Sequence, residues 1–127
     1  MEREIIFRGK RTDNGKWVYG DLYHRKICGA ISPTIHTMDY TGGSVIPTTI
    51  GQYTGLKDKN GTRIFEGDII DFTNVDYPDC EIIFDNGSFV CNEIGEDNIV
   101  CELHLRLVNE VIGNVHDNPE LLKGGER

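Results

Sequence analysis

Residues 51–70 read GQYTGLKDKNGTRIFEGDII, and this stretch decides the fold that the sequence predicts. Two groups of turn-forming residues, 53–55 and 59–61, stand beside apolar positions, and Glu66-Gly67-Asp68 leads into the β-branched pair Ile69-Ile70. Such a pattern is typical of a tight hairpin followed by a sharp turn into a new strand. The apolar segments on either side are therefore expected to be strands that pack around it.

Asn-Gly pairs recur along the chain as further hairpin signals. Asn14-Gly15 separates EIIFR (residues 4–8) from KWVYGDLY (residues 16–23), and Asn86-Gly87 separates EIIF from SFVC. Both central residues of a type I′ turn need a positive φ, which Asn and Gly tolerate best. We therefore predict a hairpin at each pair.

The chain between residues 24 and 50 gives weaker signals. Residues 27–31 are predicted to form a short strand that ends at Ser32-Pro33. Residues 36–44, HTMDYTGGS, are predicted to form a loop because Gly42-Gly43 interrupts any periodicity. Loops of this length are often functional or mobile, so this loop is a candidate contact surface.

The C-terminal part is predicted to hold two more strands and a short helix. Residues 103–107, LHLRL, place leucine at every second position, as in a half-buried strand, and residues 110–115, EVIGNV, resemble another strand. The helix would have one or two turns, with Asn118 as its cap, Pro119 in its first turn and Gly124 as its stop.

Two segments of the sequence resemble each other. NGKWVYGDL (residues 14–22) and NGTRIFEGDI (residues 60–69) both combine a hairpin turn, a strand and a Gly-Asp pair, with Glu66 as a single extra residue and a candidate bulge. The 127 residues are enough for one domain. Two interpretations of this similarity stay open. The chain is divided into two similar β-subdomains, about 1–50 and 51–127, or hairpin sequences have converged by chance.

The charge of the chain disfavours nucleic acid as a partner unless cations are segregated onto one face. Thirteen Lys and Arg stand against 21 Asp and Glu, a net charge of −8. The cations near the first strands form either a solvated strand surface or a binding face. For Trp17 we prefer a core or half-buried position in a strand over a role as a ligand platform. The candidate nucleic-acid-binding residues are Arg3, Arg8, Lys10, Arg11, Trp17, Arg25 and Lys26.

Cysteine spacing and hydropathy predict a cytoplasmic protein with reduced thiols. The four cysteines, none in CxxC spacing, are expected in or near the core, and Cys91 or Cys101 with His104 matches no zinc pattern. The N-terminus lacks the apolar run of a signal peptide, and no apolar stretch reaches the length of a membrane helix.

Catalytic motifs are missing from the sequence. It has no Gly-rich phosphate loop and no GxSxG motif, so we assign no catalytic, cofactor-binding or metal-binding residues. A metal-dependent hydrolase or nuclease that uses Glu66, Asp68 and Asp71 is kept as an alternative because these acids are close in sequence. The simpler interpretation is that the Asp68 carboxylate binds the backbone of the turn.

Four segments together resemble the YopX family of phage and prophage proteins, over about residues 3–122. The resemblance implies a small, mainly β protein of antiparallel, barrel-like (SH3-like) units built from hairpins, with a short C-terminal helix. It implies no particular activity, substrate or catalytic residue. The four segments are REIIFRGKR, NGKWVYGDL, GQYTGLKDKNGTRIFEGDII and EVIGNVHDNPELL.

The leading functional hypothesis is a non-enzymatic binding or accessory protein inside the bacterial host of a phage or prophage. A protein partner is expected, with a homo-oligomer formed through an edge strand as a further expectation. A small-barrel nucleic-acid-binding protein is the alternative, and a DNA-mimicking decoy that uses the acidity is a more remote one. No cofactor is expected.

Overall fold

The computed structural model describes residues 3–74, 76–96, 98–103 and 108–122, which form two antiparallel sheets. The first sheet has six strands in the order β4-β3-β2-β1-β5-β6, and the second has five in the order β10-β9-β8-β7-β11. The strands of the first sheet are β1 (Phe7–Lys10), β2 (Trp17–Ile27), β3 (Ala30–His36), β4 (Gly43–Ser44), β5 (Gly51–Lys57) and β6 (Arg63–Phe65). Those of the second are β7 (Asp68–Phe72), β8 (Cys80–Asp85), β9 (Ser88–Glu93), β10 (Ile99–Glu102) and β11 (Val108–Asn114).

The prediction of a mainly β, antiparallel fold is confirmed. The described strands form two open sheets, and neither of them closes into the barrel-like unit that was expected. The described residues contain no α-helix, and their 3₁₀ turns include Pro47–Thr49 and Pro119–Leu122. None of the helices in the described part of the chain is long and apolar enough to cross a membrane.

The chain divides within β5 into two compact units, Met1–Tyr53 (unit 1) and Thr54–Arg127 (unit 2). Unit 1 has a small core in which Val18, Ile35 and Val45 are buried. Unit 2 has a larger core, because apolar residues of β6 to β9 alternate inward and meet on one side. Its buried members are Ile64, Ile70, Phe72, Cys80, Ile82, Cys91 and Leu103.

The predicted hairpins form, but only one of them has the predicted turn. Asn86 and Gly87 have φ values of 48° and 83°, as a type I′ turn requires. At Asn14-Gly15 only the glycine has a positive φ, and the wider loop is closed by a hydrogen bond from Gly15 N–H to the Arg11 carbonyl. The prediction of a type I′ turn there is therefore wrong.

The hairpin within residues 51–70 is confirmed, with one correction. The turn at residues 59–61 joins β5 to β6, and Gly67, at φ 92°, turns the chain into β7. Residues 53–55 are not a turn, because they lie inside β5, where Gly55 has a φ of 89°.

The longest hairpin, β2 with β3, was not predicted. Residues 27–31 were expected to be a short strand, but they contain the turn between the two strands, with Cys28 and Gly29 at φ 50° and 84°. Pro33 does not end the strand either. Its carbonyl accepts a hydrogen bond from Val45 N–H, so its nitrogen also points away from β2 and no ladder bond to β2 is lost.

The C-terminal predictions have mixed outcomes. The strand predicted at residues 110–115 is confirmed as β11, whereas residues 104–107 of the leucine-alternating segment and Gly124 lie outside the described residues. The helix is a single 3₁₀ turn. Asn118 precedes it as predicted, and its backbone carbonyl accepts a hydrogen bond from Leu121 N–H, while its side-chain oxygen accepts one from Asn114 N–H at 3.1 Å.

Candidate functional site

One face of the sheet in unit 1 combines aromatic rings with cations. Successive side chains of a strand point to opposite faces, so Val18 and Leu22 enter the core while the alternate residues of β2 face away from it. The strand register sets Arg8 opposite Tyr19 and Lys10 opposite Trp17. We call this surface the aromatic face; its members are Arg8, Lys10, Trp17, Tyr19, Tyr23, Arg25 and Tyr40.

Trp17 lies beneath two cations at one end of the aromatic face. The Arg8 guanidinium carbon is 4.6 Å from the centroid of the indole ring, and the Lys10 Nζ is 5.4 Å from it. Both distances are within the range of cation–π attraction. Trp17 is half-buried, which confirms the preferred interpretation of this residue, and Arg8 is buried.

The tyrosines further along β2 are open to solvent. Tyr19 is 49% exposed and Tyr23 is 43% exposed, and Arg25 is also exposed. Tyr23 pairs with Thr34 of β3, and Arg25 pairs with Ser32, so small hydroxyl side chains flank them on the same face. This arrangement leaves the tyrosine rings accessible to a planar partner.

A concavity of about 180 Å³ opens on the aromatic face next to Tyr23 and Arg25. His36 and Tyr40 also line it, and their rings meet edge to face at a centroid distance of 6.1 Å. Thr34 is a further lining residue. The lining therefore combines three rings, hydroxyl groups and one guanidinium.

The loop that carries Tyr40 is organised by the Asp39 carboxylate. Asp39 accepts hydrogen bonds from the hydroxyls of Thr41 (2.7 Å) and Thr37 (2.8 Å), and these bonds lower its pKa below the usual value. Gly42 is needed because a Cβ there would lie 2.0 Å from the Ile35 carbonyl oxygen. The loop thus presents Tyr40, 87% exposed and at φ 62°, in a defined conformation.

The structure brings some of the predicted cations together and separates others. Arg8, Lys10 and Arg25 share the aromatic face, whereas Lys26 points to the opposite face of β2 by strand alternation. Arg11 is held elsewhere: it pairs with Asp13 at 2.6 Å and donates to the Thr41 carbonyl.

Arg3, the remaining predicted cation, is exposed and precedes β1.

The two units differ strongly in charge. Unit 1 has seven Lys and Arg against five Asp and Glu, a net charge of +2, whereas unit 2 has six against sixteen, a net charge of −10. No acidic residue occurs between Leu22 and Met38. The long hairpin is therefore a cationic segment in an acidic protein.

The three acids of the hydrolase alternative do not meet in one site. Asp68 accepts a hydrogen bond from Phe65 N–H at 2.7 Å, as the simpler interpretation predicted, and Asp71 accepts one from Glu110 N–H at 2.9 Å. Glu66 instead faces Glu81, whose pKa is raised by burial and then by the charge of Glu66. Among the described residues, no three His, Cys, Asp or Glu side chains are grouped to hold a metal ion.

The cysteines are unbridged, and three of the four lie where they were expected. Cys80 and Cys91 are buried and Cys101 is half-buried, but Cys28 is exposed in the turn between β2 and β3. The expectation of a core position is therefore wrong for Cys28. His104, the third member of the metal-site alternative, is outside the described residues.

Sequence reasoning missed part of the aromatic face. The alternation of Trp17, Tyr19 and Tyr23 was visible in KWVYGDLY, but their shared face depends on how far β2 extends. Tyr40 joins them only through the folded loop, whose one local signal is an Asp between two threonines, Thr37 and Thr41.

Comparison with known proteins identifies a family and a similar solved structure. A family model described as "YopX protein" matches residues 6–123. The solved structure of protein EF1440 from Enterococcus faecalis is similar, with 26% sequence identity and a TM-score of 0.53; the match covers 95% of this chain and 99% of that one. No curated protein matches.

Proposed function

This chain belongs to the YopX protein family, and on that premise and the geometry of unit 1 we propose that it is a non-enzymatic binding protein. Its contact surface is the aromatic face. Its setting is the cytoplasm of a bacterium that carries a phage or prophage, where it acts as an accessory protein. The resemblance to phage and prophage proteins supports this setting.

The observation that carries the proposal is the contrast between exposed rings and occupied acids. Tyr19, Tyr23 and Tyr40 are exposed on one surface, and exposed aromatic side chains that cluster in this way are typical of contact sites. The acids that were candidates for chemistry, Asp68 and Asp71, bind backbone N–H groups instead. We therefore assign recognition to the aromatic face and a structural role to the Asp68 and Asp71 carboxylates.

A nucleic-acid partner is the second candidate, and a specific observation favours it. The sequence alone gave only scattered cations, but the structure sets Arg8 and Lys10 over Trp17 and Arg25 beside Tyr23. Stacking surfaces next to cations are the elements of single-strand recognition. Self-association through a sheet edge stays a separate prediction, which sedimentation at high protein concentration tests.

The test of the proposal is cross-linked capture from host cells with matched baits. The bait protein captures one or more specific partners, and the double variant Tyr19→Ala/Tyr23→Ala loses them. Tyr77→Ala, a variant of a 40% exposed tyrosine in unit 2, retains them. If the double variant captured the same partners as the unmodified protein, the aromatic face would not be the contact surface and the proposal would fail.

A further inference from the structure

We propose that the aromatic face binds a single strand of nucleic acid, with bases stacked on Tyr19, Tyr23 and Tyr40 and the phosphates passing Lys10 and Arg25. This inference rests on the proposed function, since it names the partner of the same surface. It goes beyond it by assigning each side chain a part of the ligand.

The spacing of the rings suits an extended strand. Tyr19 and Tyr23 are four residues apart on the same face of β2, which separates their positions by about 13 Å at the rise of a β-strand. Bases of an extended single strand can splay apart and stack separately on such rings. Any base can use these platforms, because every base has a π-face.

The concavity provides a place for one base. At about 180 Å³ it is smaller than the several hundred Å³ typical of pockets that enclose a whole small-molecule ligand. In this proposal one planar base enters the concavity, which Tyr23, Arg25 and the His36–Tyr40 pair line. The hydroxyl of Thr34 offers a hydrogen bond to a base edge. A base on a continuous strand satisfies this geometry and leaves the sugar and phosphate outside.

The distribution of charge favours unit 1 over unit 2 as the binding site of the nucleic-acid strand. The acid-free segment between Leu22 and Met38 contributes Arg25 to this face, whereas unit 2 has a net charge of −10 and repels phosphate. A duplex hides the faces of its bases and has the higher charge density. Both facts favour a single strand held mainly by stacking.

One carboxylate on the face makes the electrostatics testable. Asp21 lies between Tyr19 and Tyr23 on β2, in register with His36. Its negative charge opposes phosphates that pass along this surface. Removing it without changing its size, by Asp21→Asn, therefore tightens binding if the strand follows β2.

The experiment uses the protein's only tryptophan, Trp17, as an internal reporter on the face. Labelled oligo(dT), oligo(U) and a DNA duplex of about 12 nucleotides, within the usual site size of small β binders, are titrated at low salt. We expect quenching of Trp17 fluorescence and a rise in anisotropy with the single strands, and weaker binding of the duplex. Comparing oligo(dT) with oligo(U) distinguishes DNA from RNA as the source of the strand.

Variants locate the site. We expect Tyr23→Ala to weaken binding by about 5- to 100-fold, the range for the loss of one stacked base. Arg25→Gln should reduce the salt dependence by about one phosphate contact, and Asp21→Asn should tighten binding. Tyr77→Ala and Lys57→Gln, exposed matches from unit 2, should leave affinity unchanged.

Three results would each overturn the inference: no change in fluorescence or anisotropy with either single strand at low salt, equal losses from Tyr23→Ala and Tyr77→Ala, or weaker binding by Asp21→Asn. These failures are distinguishable from failure of the proposed function. If no strand binds but the Tyr19→Ala/Tyr23→Ala bait still loses its captured partner, the face binds a protein; if that bait keeps its partner, the proposed function itself is wrong.

Discussion

Residues 14–22 and 60–69 are similar in sequence, but their Gly-Asp pairs lie in different structures, a continuous strand in the first segment and a tight turn in the second. In unit 2, Gly67 adopts a φ of 92° and turns the chain, so Asp68, only 2% exposed, faces inward and binds the Phe65 N–H. In unit 1, Gly20 lies within the continuous strand β2, and Asp21 is exposed. The same Gly-Asp pair therefore closes an interior turn in one unit and extends an exposed strand in the other.

The extra residue Glu66 is part of that difference. It was a candidate bulge, but β6 ends at Phe65 and β7 begins at Asp68, so Glu66 and Gly67 form the turn itself. Gly67 N–H donates to the Ile82 carbonyl and its own carbonyl accepts from Val115 N–H, which fixes the turn within unit 2. In unit 2 the aspartate of the Gly-Asp pair therefore holds the backbone, whereas in unit 1 the aspartate of the matching pair is exposed on a strand.

The largest expected effect comes from Asp58→Ala in unit 2. Asp58 is buried and accepts from three backbone groups, the N–H of Asn60 and Thr62 at 2.9 Å and that of Val111 at 3.0 Å. Losing these bonds and leaving the donors unsatisfied should lower the free energy of unfolding by about 3–4 kcal/mol. Urea unfolding measures this change.

The matched variant for Asp58→Ala is Asp13→Ala in the first hairpin turn, where the carboxylate is exposed and pairs with Arg11. It should leave the urea midpoint nearly unchanged, because exposed ion pairs contribute little. Equal losses from the two variants would contradict the contrast between an interior and an exterior turn.

The next largest effect tests the two Gly-Asp pairs directly. Asp68→Ala should destabilise the protein by about 2–3 kcal/mol, since a charged acceptor of a buried N–H is removed. Asp21→Ala should change stability little because its side chain is exposed. Denaturant titrations of the two variants measure this difference. A larger loss of stability from Asp21→Ala than from Asp68→Ala would contradict the structural role assigned to Asp68.

A pH dependence of smaller size is also expected from Asp58. Burial alone would raise its pKa, but hydrogen bonds from the N–H groups of Val111, Thr62 and Asn60 lower the pKa below the ordinary value. A lowered pKa means that the carboxylate stabilises the fold above about pH 3.9, its unfolded value, and loses this contribution as pH falls through the folded pKa. Stability measured across the acid range should therefore fall more steeply for the unmodified protein than for Asp58→Asn.

Glu81 should act with the opposite sign. Its pKa is raised by burial and by Glu66, so the folded state binds its proton more tightly than the unfolded state does. The cost of ionising it in the folded state appears as pH rises above the unfolded value. Glu81→Gln should then increase stability at neutral pH relative to acid pH; an identical pH profile for the variant and the unmodified protein would show that folding does not raise the pKa of Glu81.

The sequence was sufficient for elements that local residues determine. Asn86-Gly87 fixes its turn because both residues tolerate positive φ, and the register of β8 with β9 follows from a two-residue loop. The prediction at Asn14-Gly15 was wrong because the loop there is longer than two residues and is closed by backbone hydrogen bonds, from Gly15 N–H to the Arg11 carbonyl and from Arg11 N–H to the Lys16 carbonyl.

The aromatic face was harder to predict because it depends on partners distant in sequence. Trp17 and Tyr19 alternate visibly, but Tyr40 reaches the same surface through a loop that Asp39 and the close approach of Gly42 to Ile35 hold in place. Local patterns give strands and turns, whereas a surface of this kind depends on register and on loop conformation.

The smallest expected effect concerns the β2–β3 turn at Cys28-Gly29, which was not predicted from the sequence. Cys28-Gly29 and Asn86-Gly87 have nearly the same φ values, 50° and 84° against 48° and 83°, so the two turns differ mainly in their first residue. Asn tolerates a left-handed conformation better than Cys. Cys28→Asn should therefore stabilise the β2–β3 hairpin by about 0.5 kcal/mol, and Asn86→Cys should destabilise β8–β9 by a similar amount.

Because residues 24–31 are exposed, the gain at Cys28→Asn should appear as local protection rather than as a shift of the whole unfolding transition. Amide hydrogen exchange of Arg25 and Ser32 measures it, because the N–H groups of this pair point across the hairpin, whereas those of Lys26 and Ile31 point away from it. Unchanged exchange in Cys28→Asn would mean that the register of seven cross-strand pairs, and not the turn, holds the hairpin together. The exposed strand would then depend on its side chains, including those of the aromatic face, for its shape as well as for binding.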